Sequence, residues 1–174
     1  MHRKVYMADE LISLSEYISS EDDLDCYNCW QDEETQSSYN HKLTEVDAWS
    51  KNTPKTSRFI ATVLRLSDHT SIGTVFLSPE NTPPDLAIMI YPPYRKNGFG
   101  VRAFALGMKY CFEVLGFDKL YAGCYPHNVS SLKMLQRCGF EPHPDGDQME
   151  KHYVTGEDIT QLDFVKHNPN KHKK

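Results

Sequence analysis

Gly98 and Gly100 lie two residues apart in the stretch Tyr-Pro-Pro-Tyr-Arg-Lys-Asn-Gly-Phe-Gly-Val-Arg-Ala, residues 91–103. Glycines so placed let a backbone pass through φ > 0 and come close to a ligand. A helix beginning beside them offers unpaired N–H groups and the positive end of its dipole. The chemistry suited to that arrangement is anion binding, phosphate above all. Charge points the same way. From Leu86 to Phe112 there is no Asp or Glu, yet Arg95, Lys96, Arg102 and Lys109 are all present. On the glycines alone a tight strand–helix turn with a solvated basic face explains the stretch as well, because Gly-x-Gly is a weak motif.

The flanking elements decide whether the glycines can act. Leu86-Ala87-Ile88-Met89-Ile90 reads as a buried strand, and Val101, Phe104, Ala105, Met108, Phe112 and Leu115 recur at helical spacing. Gly116 closes that helix; Lys119 to Tyr125 reads as the next strand. Asn128 is placed to cap a helix running to Arg137, closed by Gly139. Upstream, Val5 to Met7 suits a strand, and Leu11, Leu14 and Ile18 predict a helix over Leu11 to Ile18. Ser20 to Ala48 predicts one or two helices, with Tyr27, Trp30, Tyr39 and nearby Trp49 lining a cleft or covering a core. Asn52 to Ser57, with Pro54, reads as a polar turn. Phe59 to Leu66 and Ser71 to Leu77 form a hairpin, and Ser78 to Pro84 a loop. A second hairpin pairs Glu150 to Val154 with Ile159 to Val165. The predicted fold class is α+β: a mixed, mainly antiparallel sheet flanked by helices, with one strand–helix–strand–helix unit.

Length and composition fit one soluble domain. The chain has 174 residues, 39% hydrophobic and 25% charged, with a net charge of −5 and a pI near 5.9. The expected domain spans residues 1–167, followed by a disordered basic tail, residues 168–174. The acidic balance argues against nucleic-acid binding. No stretch reaches the ~20 apolar residues of a membrane span, and the first residues lack a signal-peptide core. Five scattered cysteines read as reduced thiols in a cytoplasmic protein. Cys26 and Cys29 form an isolated Cys-x-x-Cys without a second ligand pair, so no metal site is expected.

The segment Arg95-Lys96-Asn97-Gly98-Phe99-Gly100 resembles the (Gln/Arg)-x-x-Gly-x-(Gly/Ala) signature of GNAT-superfamily N-acetyltransferases. Asn128-x-x-Ser131, followed by Gly139-Phe140, resembles the family's second block at matching spacing. The likeness covers Phe59 to Val165 and looks most like the branch of ribosomal-protein N-terminal and polyamine acetyltransferases.

The resemblance implies a GNAT-like fold and acetyl-CoA as cosubstrate. Backbone N–H groups of Lys96, Asn97, Gly98, Phe99, Gly100, Val101 and Arg102 would hold its pyrophosphate, with Arg95 opening the loop. Ile90 would hold the acetyl carbonyl, Asn128 would contact the pantetheine arm, and Ser131 would lie near the thioester. Arg102 stands where this branch often has Glu, which should favour phosphate. The implied reaction is direct transfer to a primary amine. A lysine-like amine has a pKa of ~10.4, so its free base near pH 7 costs about 4.6 kcal/mol. A base or desolvation must offset that. Asp85, opening the central strand, is the candidate base. Many family members carry an acidic tyrosine seven residues after the Asn. Leu135 occupies that position here, which leaves Ser131 as the favoured acid, with His127 and Tyr125 as further candidates.

Three rival readings remain. Gly98-x-Gly100-x-x-Ala103 fits a permissive dinucleotide fingerprint, but the next strand ends Tyr125-Pro126-His127, without the acidic residue a ribose wants. A non-catalytic acyl-CoA sensor on the same fold is the second, and a nucleic-acid binder the third, opposed by the charge. The acceptor amine, and the choice between monomer and homodimer, stay open; an acidic Glu21 to Glu34 region could attract a cationic acceptor.

Overall fold

Valine, isoleucine, threonine and phenylalanine dominate Phe59–Arg65 and Ser71–Leu77, and a pleated, half-buried surface favours these side chains. In the computed structural model, which describes residues 2–45 and 48–171, these segments are strands β3 and β4. They pair antiparallel at the centre of a five-stranded sheet of order β1-β2-β3-β4-β5. β1 is Val5–Ala8, β2 Ile12–Glu16 and β5 Leu86–Ile90.

Three helices, α1 (Ser19–Trp30), α2 (Glu33–Tyr39) and α3 (Ala48–Thr56), separate β2 from β3. Helix α4, Phe99–Glu113, follows β5, and α5, Val129–Arg137, follows strand β6, Lys119–Cys124. β6 belongs to a second sheet with β7 (Glu141–Pro142) and β9 (Asp158–His167), order β6-β9-β7; β8 (Gln148–Lys151) also pairs with β9. The predicted class holds: a mainly antiparallel α+β arrangement with one strand–helix–strand–helix unit.

Helix α4 packs on the sheet through Ala103, Phe104, Leu106, Cys111 and Phe112, which join Leu14, Val63, Val75 and Leu86 in the main core. A smaller core of Cys26, Cys29, Trp30, Trp49, Met89 and Tyr91 packs α1 and α3 on the β4–β5 side. All five cysteines are free and buried.

Three expectations are corrected. Leu11 to Ile18 is not a helix but contains β2. The Asp9 carboxylate accepts from the N–H groups of Leu11 and Ile12 at 2.8 and 2.9 Å, closing the β1–β2 turn. Ile12 and Leu14 then face the core, while Ser13 and Ser15, on the opposite face, are buried and share a hydroxyl contact of 2.9 Å. Leu11, Leu14 and Ile18 imitate helical spacing, although Ile12-Ser13-Leu14-Ser15 alternates. Most of the expected turn at Asn52 to Ser57, up to Thr56, is the second half of α3, with Pro54 inside the helix. Trp49 anchors it, fully packed against Phe76 and Trp30 and donating to the Tyr17 hydroxyl at 2.8 Å. Tertiary packing overrides the local proline signal. Asn168, placed in the expected tail, is part of the fold. That side chain is buried and donates to the Phe117 carbonyl at 2.9 Å, closing the end of α4. Residues 172–174 lie outside the described residues.

Candidate functional site

Backbone alternation makes the site. Ser78 N–H donates to the Asp85 carbonyl, and Tyr91 N–H to the Ile72 carbonyl, both at 2.9 Å. These bonds set the phase of the β4–β5 ladder. Ala87 and Met89 spend their backbone groups on β4, and Ile88 and Ile90 turn theirs the other way. On that other side a neighbour is missing. β5 meets β6 only at a parallel bridge between Asp85 and Tyr121, and beyond it the strands diverge. Ile88 and Ile90 therefore present backbone groups to a gap. The Tyr39 hydroxyl donates to the Ile88 carbonyl at 2.5 Å, and Arg95 Nε to the Ile90 carbonyl at 2.9 Å. Both acceptors are occupied, which leaves the two N–H groups aimed into the opening.

The gap is a cavity of about 580 Å³. Its wall includes Asp85, Ile90, Gly98, Gly100, Asn128 and Ser131. At one end Gly98 caps α4 in the left-handed conformation, φ +79°, with no side-chain cap, and a Cβ there would meet nothing within 4 Å. Lys96 is also left-handed, φ 63°. Asn97 holds the loop by donating to the Arg95 carbonyl at 2.9 Å. Phe99, Gly100 and Val101 open the helix, so their N–H groups have no intrahelical acceptor. This open, basic helix start suits a pyrophosphate. Arg102 already breaks the pattern. Its N–H donates to the Gly98 carbonyl at 3.4 Å.

Two arginines near the glycine loop are held by acidic partners. The Arg102 guanidinium pairs with Asp9 at 2.7 Å and Glu10 at 2.8 Å, so the β1–β2 turn consumes the charge expected at the phosphates. Arg95 turns back under the loop. Besides Ile90 it binds Asp32 at 2.7 Å and the Thr35 hydroxyl at 2.6 Å, which fastens the start of α2 to the end of β5. Lys133 and Arg137, one helical turn apart on α5, line the cavity together with Arg95 and Lys96. Their i, i+4 spacing was the available signal, and it was missed.

At the other end stands Asp85, half-buried, its carboxyl pushed up to about 7 by burial first and by the negative charge of Asp163 second. Its N–H donates to the Ser78 hydroxyl at 2.9 Å. Tyr39 also lines this part, its own hydroxyl raised by burial first. Of the aromatics in the predicted helical region, Tyr39 reaches the cavity, and Trp30 and Trp49 are core.

Asn128 caps α5 by accepting from Ser131 N–H at 3.1 Å. Ser131 and Leu135 line the cavity with it. Cys124 lines it too, its thiol pushed up to about 11 by burial. His127 does not. Its Nε2 sits 3.1 Å from the Ser37 hydroxyl, on the outer side of α2, and its ring stacks on Tyr125. The Tyr125 hydroxyl donates to Glu150 at 2.7 Å, so it too serves the wall rather than the opening. Among the described residues no cluster of His, Cys, Asp or Glu is arranged to hold a metal ion, and no helix is long and apolar enough to cross a membrane.

Known structures share this architecture. The spermidine N-acetyltransferase of Vibrio cholerae, solved with CoA and spermine, is similar with a TM-score of 0.77 and 17% identity, over 92% of this chain and 97% of that one. The ribosomal-protein-S5-alanine acetyltransferase of Vibrio fischeri gives 0.75 and 18%, over 94% and 97%. A GNAT-family acetyltransferase of Bacillus anthracis gives 0.76 and 13%, over 93% and 98%. At such identities the likeness establishes the fold. No curated protein sequence matches the chain. A family model described as the acetyltransferase (GNAT) domain matches residues 14–141. With the diverging strands, the bare helix start and this match together, the chain belongs to the GNAT acetyltransferase family.

Proposed function

We propose that this protein transfers an acetyl group from acetyl-CoA directly to a primary amine, within one domain that takes in Asn168. The observation that carries the reading is the divergence of β5 from β6, which leaves the Ile88 and Ile90 N–H groups facing one cavity that also contains the start of α4 and Asp85. The residues present fit the cosubstrate. The N–H groups from Lys96 to Val101 suit its pyrophosphate, Lys133 and Arg137 add positive charge, and the Ile88 N–H and Asn128 suit an amide-bearing arm. Acetyl-CoA, when bound, supplies the activated thioester.

The chain's own groups do the rest. Asp85 takes the proton of the incoming ammonium, directly or through water, a task for which a carboxyl near neutrality is well matched. The Ile90 N–H is the donor for a developing oxyanion. Ser131 is the hydroxyl nearest the role of acid toward the leaving thiolate. A primary amine of a polyamine or a protein N-terminus is the acceptor class, in line with the substrates named for the Vibrio enzymes. Buried free thiols suit a reducing compartment, the cytoplasm.

Leu135, where many relatives carry the acidic tyrosine, favours a second reading: a sensor that binds acyl-CoA without turnover. Calorimetry with acetyl-CoA, using NADH and ATP as controls, followed by thiol release across an amine panel, tests both. Binding of acetyl-CoA alone with turnover supports the transferase. Binding without turnover on any amine supports the sensor, and no binding by the folded protein rejects both.

A further inference from the structure

One row of polar groups crosses four strands behind the cavity. Asp85, entering β5, pairs with Tyr121 of β6. Two residues on, Gly123 pairs with Asp163 of β9. The N–H of His143, just after β7, donates to the Asp163 carbonyl at 2.9 Å. Paired residues project to the same face of a sheet, and so do residues two apart. Asp85, Asp163 and His143 therefore rise from one side. Gly123 stands between the two aspartates and has no side chain. It lines the cavity with Asp85 and Gln161, and a Cβ there would press on the Gln161 amide at 3.0 Å.

The outer pair is tightly built. His143 Nδ1 lies 2.7 Å from Asp163 Oδ2, and the His143 ring lies 5.6 Å from that of Tyr121. Gly146 closes over them, because a Cβ there would fall 2.1 Å from Asp163 Oδ2. The side chain of Asp163 is 17% exposed and that of His143 is 37% exposed. The row thus runs from the cavity toward solvent. Its ends carry a carboxyl group and an imidazole, and a second carboxylate sits between them.

We propose that Asp163 and His143 are positioning residues for the acceptor's deprotonation, together setting how strongly Asp85 holds a proton. This rests on the reading of Asp85 as the base. In that step an ammonium N–H bond breaks and an O–H bond forms on Asp85. His143 donates its Nδ1–H to Asp163, which offsets part of that carboxylate's charge, so Asp85 ionises more readily. Without that donor the full charge of Asp163 opposes a second anion nearby, and Asp85 keeps its proton to higher pH. Other groups face the row: the Tyr39 hydroxyl near Asp85, the Asp147 carboxylate accepting Asp163 N–H at 2.8 Å, Asp145 in the same turn, and the Tyr121 ring. All are common to the variants below.

The test is a carbon-13 NMR titration of the Asp85 carboxyl in the full chain, its signal assigned by its loss in Asp85→Asn. Asp163→Asn should move the midpoint down, by roughly half a pH unit or more. His143→Gln should move it up, because Asp163 is then uncompensated. The double variant should follow Asp163→Asn alone, since His143 acts through Asp163. The acid limb of kcat/KM should move in the same directions. Loss of local packing would not give shifts of opposite sign. Asp163→Ser stands in should Asp163→Asn fail to fold. Midpoints unchanged, or moved the same way by both single variants, overturn the proposal. Because the titration needs no turnover, it decides this coupling even if no amine is acetylated, a result that would reject the transferase reading separately.

Discussion

The Nε of Arg95 donates to the carbonyl oxygen of Ile90 at 2.9 Å, tying the loop after β5 back to the strand's last residue. The same guanidinium binds Asp32 and Thr35 at the start of α2. One side chain thereby ties together the end of β5, the glycine loop and the start of α2. Its planar fork makes all three contacts at once, which an ammonium does not reproduce. Arg95→Gln and Arg95→Lys should both lower kcat/KM for acetyl-CoA by about tenfold or more, equivalent to at least about 1.4 kcal/mol. Steady-state kinetics decide it, and full activity in the Lys variant would show that charge alone matters.

Gly98 is exposed, left-handed and free of neighbours. Gly98→Val adds a branched side chain where the phosphates are proposed to lie, and at φ +79° a branched residue is strained. Calorimetry should show acetyl-CoA affinity reduced by about tenfold or more, with the melting temperature lowered only modestly. Undiminished affinity would mean the anion site lies elsewhere.

Asp85 makes a pair of pH predictions. As a base it must be ionised, so turnover should fall as pH drops through about 7, and Asp85→Asn should remove that limb along with most of the rate. Stability runs the other way. Its folded-state carboxyl is raised above the ordinary value of 3.8, so the native state holds the proton longer than the unfolded one. That contribution favours folding at low pH and is lost as pH rises through about 7. Asp85→Asn should therefore gain melting temperature over the parent as pH is raised from 5 to 8.5. A difference independent of pH would contradict the raised value.

Ser131 and His127 separate by position. Ser131 lines the cavity, and His127 contacts Ser37 outside it. Ser131→Ala should lower kcat by about tenfold, with acetyl-CoA affinity kept, a pattern typical of a lost proton donor. His127→Ala should stay within about threefold of the parent. A large kcat loss in His127→Ala, with none in Ser131→Ala, would reverse the two roles.

Local patterns in the sequence determined a good deal. The alternation of Phe59–Arg65 and Ser71–Leu77, the helical run after Gly98, the Asn128 cap and the glycine signature all depend on neighbours within about ten residues, and all hold in the structure. Errors fell where distant contacts outweigh local preference. Pairing with β1 and β3 made β2 a strand against the helical spacing of Leu11, Leu14 and Ile18, and Trp49 packing on Phe76 carried a helix through Pro54.

Tertiary structure alone decided the electrostatics of the site. Arg102 looks like a phosphate ligand until the β1–β2 turn brings Asp9 and Glu10 to it. Arg95 lines the cavity, but α2 presents Asp32 to its guanidinium. Asp85, Asp163 and His143 are far apart in the chain and meet only because β5, β6, β9 and the end of β7 lie side by side. A charge is set by whatever stands within a few ångströms of it, and for these residues that neighbour comes from strand and helix packing that no local pattern encodes.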